Sequence, residues 1–167
     1  MWSKVEALAP DGHGLTVLPF LSGERSTGWR GDATLTFHGI NRFTESHHMI
    51  RAGLEAVVLR LAVIVKLLDG LVDPDAKLVA AGGPLENVPL WGRMVADATD
   101  KKLLLVDAKE ITSRGVAVLM CESLVGELTP ELPIKSEIVP EAVSVAAYAE
   151  AIKRNQGLYG KLYRAKL

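Results

Sequence analysis

Lys77-Leu-Val-Ala-Ala-Gly-Gly-Pro-Leu-Glu-Asn-Val-Pro-Leu-Trp91 is the stretch on which the fold turns. Leu78 to Ala81 is a short apolar run and reads as a buried strand. It ends on Gly82 and Gly83. A helix is expected from near Asn87, with Trp91, Met94, Val95 and Ala98 at helical spacing. Paired glycines between strand and helix let bare backbone approach a ligand, and free helix N–H groups suit phosphate. A tight turn with no ligand accounts for the same residues. No Lys-Ser or Lys-Thr follows the glycines and the spacing is not GxGxxG, so neither standard phosphate loop is present. Asn87 reads either as a donor and acceptor toward a base or ribose, or as a helix N-cap.

Outward from this turn, strands and helices alternate. Leu15 to Phe20 and Ala33 to Phe37 read as strands. Thr44 or Ser46 is expected to cap a long helix over 46–69. Its large apolar residues, Ile50, Leu54, Val57, Val58, Leu61, Ile64, Val65 and Leu68, occupy more than one stripe, so it packs on two sides. Leu103 to Val106 is a further strand. Ile111 to Leu124 reads as a helix capped by Thr112 or Ser113, with Ala117, Leu119 and Leu124 in the core. Thr129 to Pro140 holds three prolines and is expected to be irregular. Ala142 to Tyr163 reads as an amphipathic helix. The alternation specifies an α/β fold with a partly parallel sheet. An opening strand without an earlier partner and a long helix apolar nearly all round are what a piece of a larger enzyme would show.

Composition narrows the function classes. The 167 residues are 49% hydrophobic and 23% charged, which suits one globular domain over 1–167. A net charge of −1 argues against nucleic acid as a partner. Glu55, Arg60, Lys66 and Asp69 interrupt the most apolar stretch, which argues against a membrane span. The Met1-Trp-Ser-Lys4 start does not read as a signal peptide. The single cysteine, Cys121, suits a reducing, cytoplasmic setting and reads as a core thiol among Val118, Leu119 and Met120.

Three other clusters invite chemistry. Glu24 and Arg25 sit in a glycine-rich loop, as a catalytic carboxylate with its partner or as an ion pair that fixes the loop. Trp29 beside them is a stacking platform or loop packing. His47 and His48 diverge by about 100° on a helix and make no metal pair, and His13 and His38 are read as having no acid or cysteine partner, so no metal ligand is assigned. Glu110 complements a helix start, and Arg114 can clamp it or a neighbouring loop.

Several pieces, in order, resemble the C-terminal domain of the FGGY carbohydrate kinases. They are Gly14-Leu-Thr-Val-Leu-Pro-Phe-Leu-Ser-Gly-Glu-Arg-Ser-Thr-Gly-Trp29, Arg51-Ala-Gly-Leu-Glu55, Ala80-Ala-Gly-Gly83 with Pro89-Leu-Trp91 and Ala96-Asp97, Glu110-Ile-Thr-Ser-Arg-Gly-Val-Ala117, and Tyr148 with Leu158 to Tyr163. The resemblance implies an actin-like ATPase, ribonuclease-H-like domain, one half of a two-domain enzyme. Such enzymes move the γ-phosphoryl of ATP, with Mg²⁺, to a sugar or sugar-acid hydroxyl in the cleft between the domains. Gly82 and Gly83 would then lie against the nucleotide and Asn87 near adenine. The family's catalytic aspartate belongs to a Gly-Asp-Gln type stretch upstream of the Leu-Pro-Phe segment. No residue before that segment here matches it, so this chain holds no catalytic residue and by itself is expected to be inactive. Thr27, Ala56 and Pro84 also depart from the usual pattern. The loop leans toward gluconate or xylulose as substrate. A non-catalytic domain that self-associates, for instance as a homodimer through an exposed apolar face, is the alternative.

Overall fold

The computed structural model describes residues 1–73, 75–107, 110–126 and 131–163. A short helix α1 (Trp2–Ala7) leads into the strand β1 (Thr16–Leu18), which pairs antiparallel with β2 (Thr36–His38). The long helix α2 (Ser46–Leu68) follows. Next come β3 (Leu78–Ala80), α3 (Gly83–Asn87), α4 (Pro89–Thr99), β4 (Leu103–Val106), α5 (Ile111–Val125), β5 (Ile134–Ile138) and α6 (Ala142–Tyr163). β3 and β4 run parallel, with Leu78 opposite Leu103 and Ala80 opposite Leu105. β5 adds to the other side of β4, antiparallel.

α2 is the spine. Glu45 caps it in a reciprocal box with His48, whose Nδ1 accepts from the Glu45 N–H at 3.0 Å. Thr44, expected as the cap, instead accepts from the Asn41 N–H and closes the preceding turn. The helix packs against α1, α4, α6 and β1, as its several stripes require. Its buried face is built from small residues as much as large ones: Ala52, Ala56, Val58, Leu59, Ala62 and Val65. Ile50, Val57, Leu61 and Leu68, expected inside, keep more than a third of their surface exposed. Alanines let neighbouring elements approach α2 closely, and that displaces the bulkier residues outward. The main core joins Val58 and Leu59 to Met94, Val95, Ala96, Leu103, Tyr148 and Ala151.

Three expectations fail in the second half. The segment 129–140 is not irregular throughout: 129 and 130 lie outside the described residues, but Ile134–Ile138 forms β5. Pro133 and Pro140 bracket this strand and do not interrupt it, and the Asp107 N–H donates to the Pro133 carbonyl at 2.7 Å. The apolar residues of α5 do not enter the core. Leu119 and Leu124 are exposed, as are Ala117 and Cys121, and the helix buries no residue among those described. Its cap position is Glu110, in left-handed backbone, not Thr112 or Ser113. Apolar residues all round a helix do not specify which face is inside, so the pattern overstated its burial.

Candidate nucleotide site

The parallel pair β3–β4 fixes the site. Parallel strands end on the same edge, and open α/β sheets bind ligands outside those carboxyl ends. Gly82 turns the chain there with φ 114° and ψ 155°, a region essentially reserved for glycine. Among the described residues the Gly82 and Gly83 N–H groups make no hydrogen bond. A cavity of about 260 Å³ opens at this edge. Leu85, Pro89, Leu105 and Ile138 give it apolar walls, and Gly82, Lys135 and Ser136 also line it.

The helix expected from near Asn87, with Trp91, Met94, Val95 and Ala98, is α4. Between it and the glycines lies a helix that was not expected, α3, which starts at Gly83 and ends after one turn. Pro89 keeps the preceding Val88 out of helical backbone, at φ −129° and ψ 80°, and opens α4 as a separate helix. A five-residue helix has little dipole to offer, so the anion-binding capacity rests on the two backbone amides. Asn87 caps nothing at a helix start. It sits at the end of α3 and its Nδ2 donates to the Gly83 carbonyl at 2.8 Å, which ties the asparagine to the turn. Gly82 lines the cavity, whereas Gly83 and Asn87 lie on α3 beside it.

The glycine-rich loop resolves the Glu24–Arg25 question by separating the two. Glu24 is buried, while Arg25 is exposed. The partner of Glu24 is Arg60 of α2, with Tyr159 of α6 and the Thr27 N–H as further donors. Arg60 also lies over the rings of Phe20 and Tyr159, at 5.3 and 5.2 Å. Burial and the Glu24 hydrogen bond push the Tyr159 hydroxyl up to about 12, so it stays a donor. Adjacency in sequence suggested Arg25; only the fold brings Arg60 in. Trp29 is 78% exposed and does not pack the loop.

A second buried network was not visible as such in the sequence. Glu55 accepts from Arg51 of the same helix, from His13 Nε2 at 3.0 Å, from the Asp11 N–H at 3.1 Å and from Tyr148 at 3.2 Å. His13 Nδ1 accepts from the Leu15 N–H, so the ring proton sits on Nε2 and points at Glu55. His13 therefore does have an acidic partner, 42 residues away. Asp11, His13 and Glu55 are spaced closely enough to hold an ion. Asp11 is engaged with Arg154 and Glu55 with its own donors, so the group forms a hydrogen-bond hub within the chain. The i, i+4 spacing of Arg51 and Glu55 was the one sequence signal available. Arg114, for its part, clamps the neighbouring segment through the Glu131 carbonyl at 3.0 Å and not Glu110.

A larger hollow of about 730 Å³ lies between α2, α4 and α6. Two of its charged residues, Lys101 and Lys153, are paired with Asp69 and Glu150. Among the described residues no glycine lines it.

These features define an α/β domain of the actin-like ATPase, ribonuclease-H-like class. Two solved structures share its fold: a xylulose kinase from Rhodospirillum rubrum, with TM-score 0.80, 22% identity and 97% of this chain covered against 34% of the other, and a Plasmodium falciparum glycerol kinase with ADP, with TM-score 0.71, 22% identity and coverage of 98% and 34%. The chain belongs to the FGGY family of carbohydrate kinases, whose C-terminal domain matches residues 1–123. Relatives include a gluconokinase of Bacillus licheniformis, 31% identical over 115 residues, covering 68% of this chain and 22% of that protein. A xylulose kinase of Streptomyces rubiginosus is 32% identical over 123 residues, covering 73% of this chain and 25% of its own length. The chain thus spans about a quarter of the length of these curated relatives.

Proposed function

We propose that this chain is the ATP-binding C-terminal part of a cytoplasmic carbohydrate kinase that transfers the γ-phosphoryl of ATP to a sugar or sugar-acid hydroxyl, of the gluconate or xylulose type. The observation that carries this reading is the cavity at the carboxyl ends of β3 and β4, with Gly82 in its lining and Gly83 next along the chain. The apolar walls suit the flat base and ribose, and the two unengaged amides suit phosphate oxygens. The bound nucleotide supplies the transferable phosphoryl group. This chain's part is to hold and orient it, and to exclude water on one side. No carboxylate lines the cavity among the described residues. Mg²⁺ would therefore arrive with the phosphates and meet no carboxylate among these lining residues. The general base that takes the sugar hydroxyl proton is expected from a part of such an enzyme that this chain does not span. Taken alone, the 167 residues should bind nucleotide weakly and turn over no sugar.

Calorimetric titration of the chain with ATP and ADP tests this. Binding is expected, and Gly83→Val should weaken it by about tenfold, or 1.4 kcal/mol. A Cβ at position 83 meets only Asn87 Nδ2, at 3.7 Å, so the thermal midpoint should hardly move. No heat with either nucleotide at millimolar concentration would overturn the reading.

A further inference from the structure

β5 carries one residue more than its partner strand. Side chains alternate along a strand, so the neighbours Lys135 and Ser136 belong on opposite faces. Both nevertheless line the cavity beside Gly82. The register explains it. Val106 pairs with Ile134 and Leu105 with Ser136, which leaves Lys135 without a partner on β4. It is the extra residue of a β-bulge, a device that bends a strand and re-aims a side chain, and that concentrates beside functional sites.

Charge supports the same conclusion. Lys135 is the only charged residue among the described residues lining the cavity. On the same strand Glu137 is engaged with Lys102 at 3.2 Å. Lys135 makes no ion pair among the described residues. β5 also lies beyond residues 1–123, the part that the family's domain matches.

We propose that Lys135, brought into the cavity by the bulge, contacts the phosphates of the bound nucleotide. The proposal rests on the nucleotide-binding reading above. An ammonium is a compact point charge with three donors, suited to a phosphate oxygen that a neighbouring amide also holds. The neutral part of the ligand gains nothing from it.

The test is calorimetric titration of the 167-residue chain and its Lys135→Gln and Lys135→Arg variants with ATP, ADP and adenosine. Lys135→Gln should weaken ATP and ADP by about tenfold and leave adenosine unchanged, while Lys135→Arg should restore most of the loss. Added salt should narrow the gap between the parent chain and Lys135→Gln, as it does for a partly exposed charge. Equal ADP affinity in parent and Lys135→Gln would overturn the proposal and leave the nucleotide reading standing. Lys135 would then be a charge that keeps an edge strand from pairing with other chains. A loss as large for adenosine as for ADP would overturn it too, because the lysine would be acting through the shape of the cavity. If the parent chain binds none of the three, both readings fall.

Discussion

Glu55→Ala should lower the stability of the domain by roughly 3–5 kcal/mol, the usual cost of leaving one partner of a buried ion pair without the other. Arg51 is 2% exposed and its other donor contact is to the Val5 carbonyl, so water cannot replace the lost carboxylate. His13, the Asp11 N–H and Tyr148 lose their acceptor at the same time. Domains of ordinary stability have about 5–15 kcal/mol in all. A large unfolded fraction is therefore expected, read as a drop in the urea midpoint. Tyr148→Phe removes one donor and leaves the charge pair intact, and should cost only about 0.5–1.5 kcal/mol. The same carboxylate sets an acid limit. Burial alone would push the Glu55 carboxyl up, but the hydrogen bonds from His13 and Arg51 and the Arg51 charge outweigh it and hold it below its ordinary value. Its contribution is complete above the unfolded value of about 4.3 and is lost as pH falls through the lower folded one. Glu55→Gln should flatten that acid limb. An unchanged urea midpoint in Glu55→Ala would mean that the network is not closed in solution.

How much of this was legible before the structure depends on how local the signal is. The limits of α2, β4 and α6 follow from apolar periodicity, and the observed spans Ser46–Leu68, Leu103–Val106 and Ala142–Tyr163 match the expectation closely. The parallel β3–β4 pair follows from a helix lying between two short apolar strands. β5 was not legible. Ile134-Lys-Ser-Glu-Ile138 has apolar residues only at its ends, and pairing with β4 makes it a strand. The burial of α5 was misread for the opposite reason. Its sequence is apolar enough to be a core helix, yet burial needs a facing surface, and no described element packs extensively against it.

The candidate site divides along the same line. The Gly82 turn was legible because its chemistry is local, a glycine at a strand end where the chain takes a positive φ. The Glu24–Arg60 pair joins residues 36 apart, and His13 and Tyr148 reach Glu55 across 42 and 93. No spacing rule reaches that far. Lys135 was hidden twice over, once because β5 was unseen and once because alternation places it on the wrong face.

Glu24→Ala is the second change expected to be severe, and it separates the two meanings of the glycine-rich loop. If the carboxylate served chemistry alone, its loss would leave the fold intact. The structure makes it the acceptor for Arg60, Tyr159 and the Thr27 N–H, at 5% exposure. Among the described residues Arg60 Nε is already buried without a partner and the only other acceptor of the guanidinium is the Ser26 carbonyl at 3.4 Å, so removing Glu24 strands most of its donors. A loss of roughly 3–5 kcal/mol follows. Gly28→Ala approaches the same point sterically. A Cβ there would stand 2.0 Å from the Tyr159 hydroxyl and 2.5 Å from Glu24 Oε2. Tyr159 is packed edge-on against Phe20 and beside Tyr163, so its ring has little room to withdraw. That substitution should cost about 1–3 kcal/mol, the range for forcing extra volume into a packed site. Because both variants act on one cluster, their costs should not add: the double variant should fall short of the sum, since a stranded Arg60 and a displaced Tyr159 need be accommodated only once. Arg25→Ala, one residue along the chain but exposed and outside the Glu24 bonds, is the control and should stay within about 0.5 kcal/mol of the parent. Urea unfolding of the four variants measures all of this. A destabilised Arg25→Ala beside an unaffected Glu24→Ala would return the loop to the sequence-adjacent pair and remove Arg60 as its anchor.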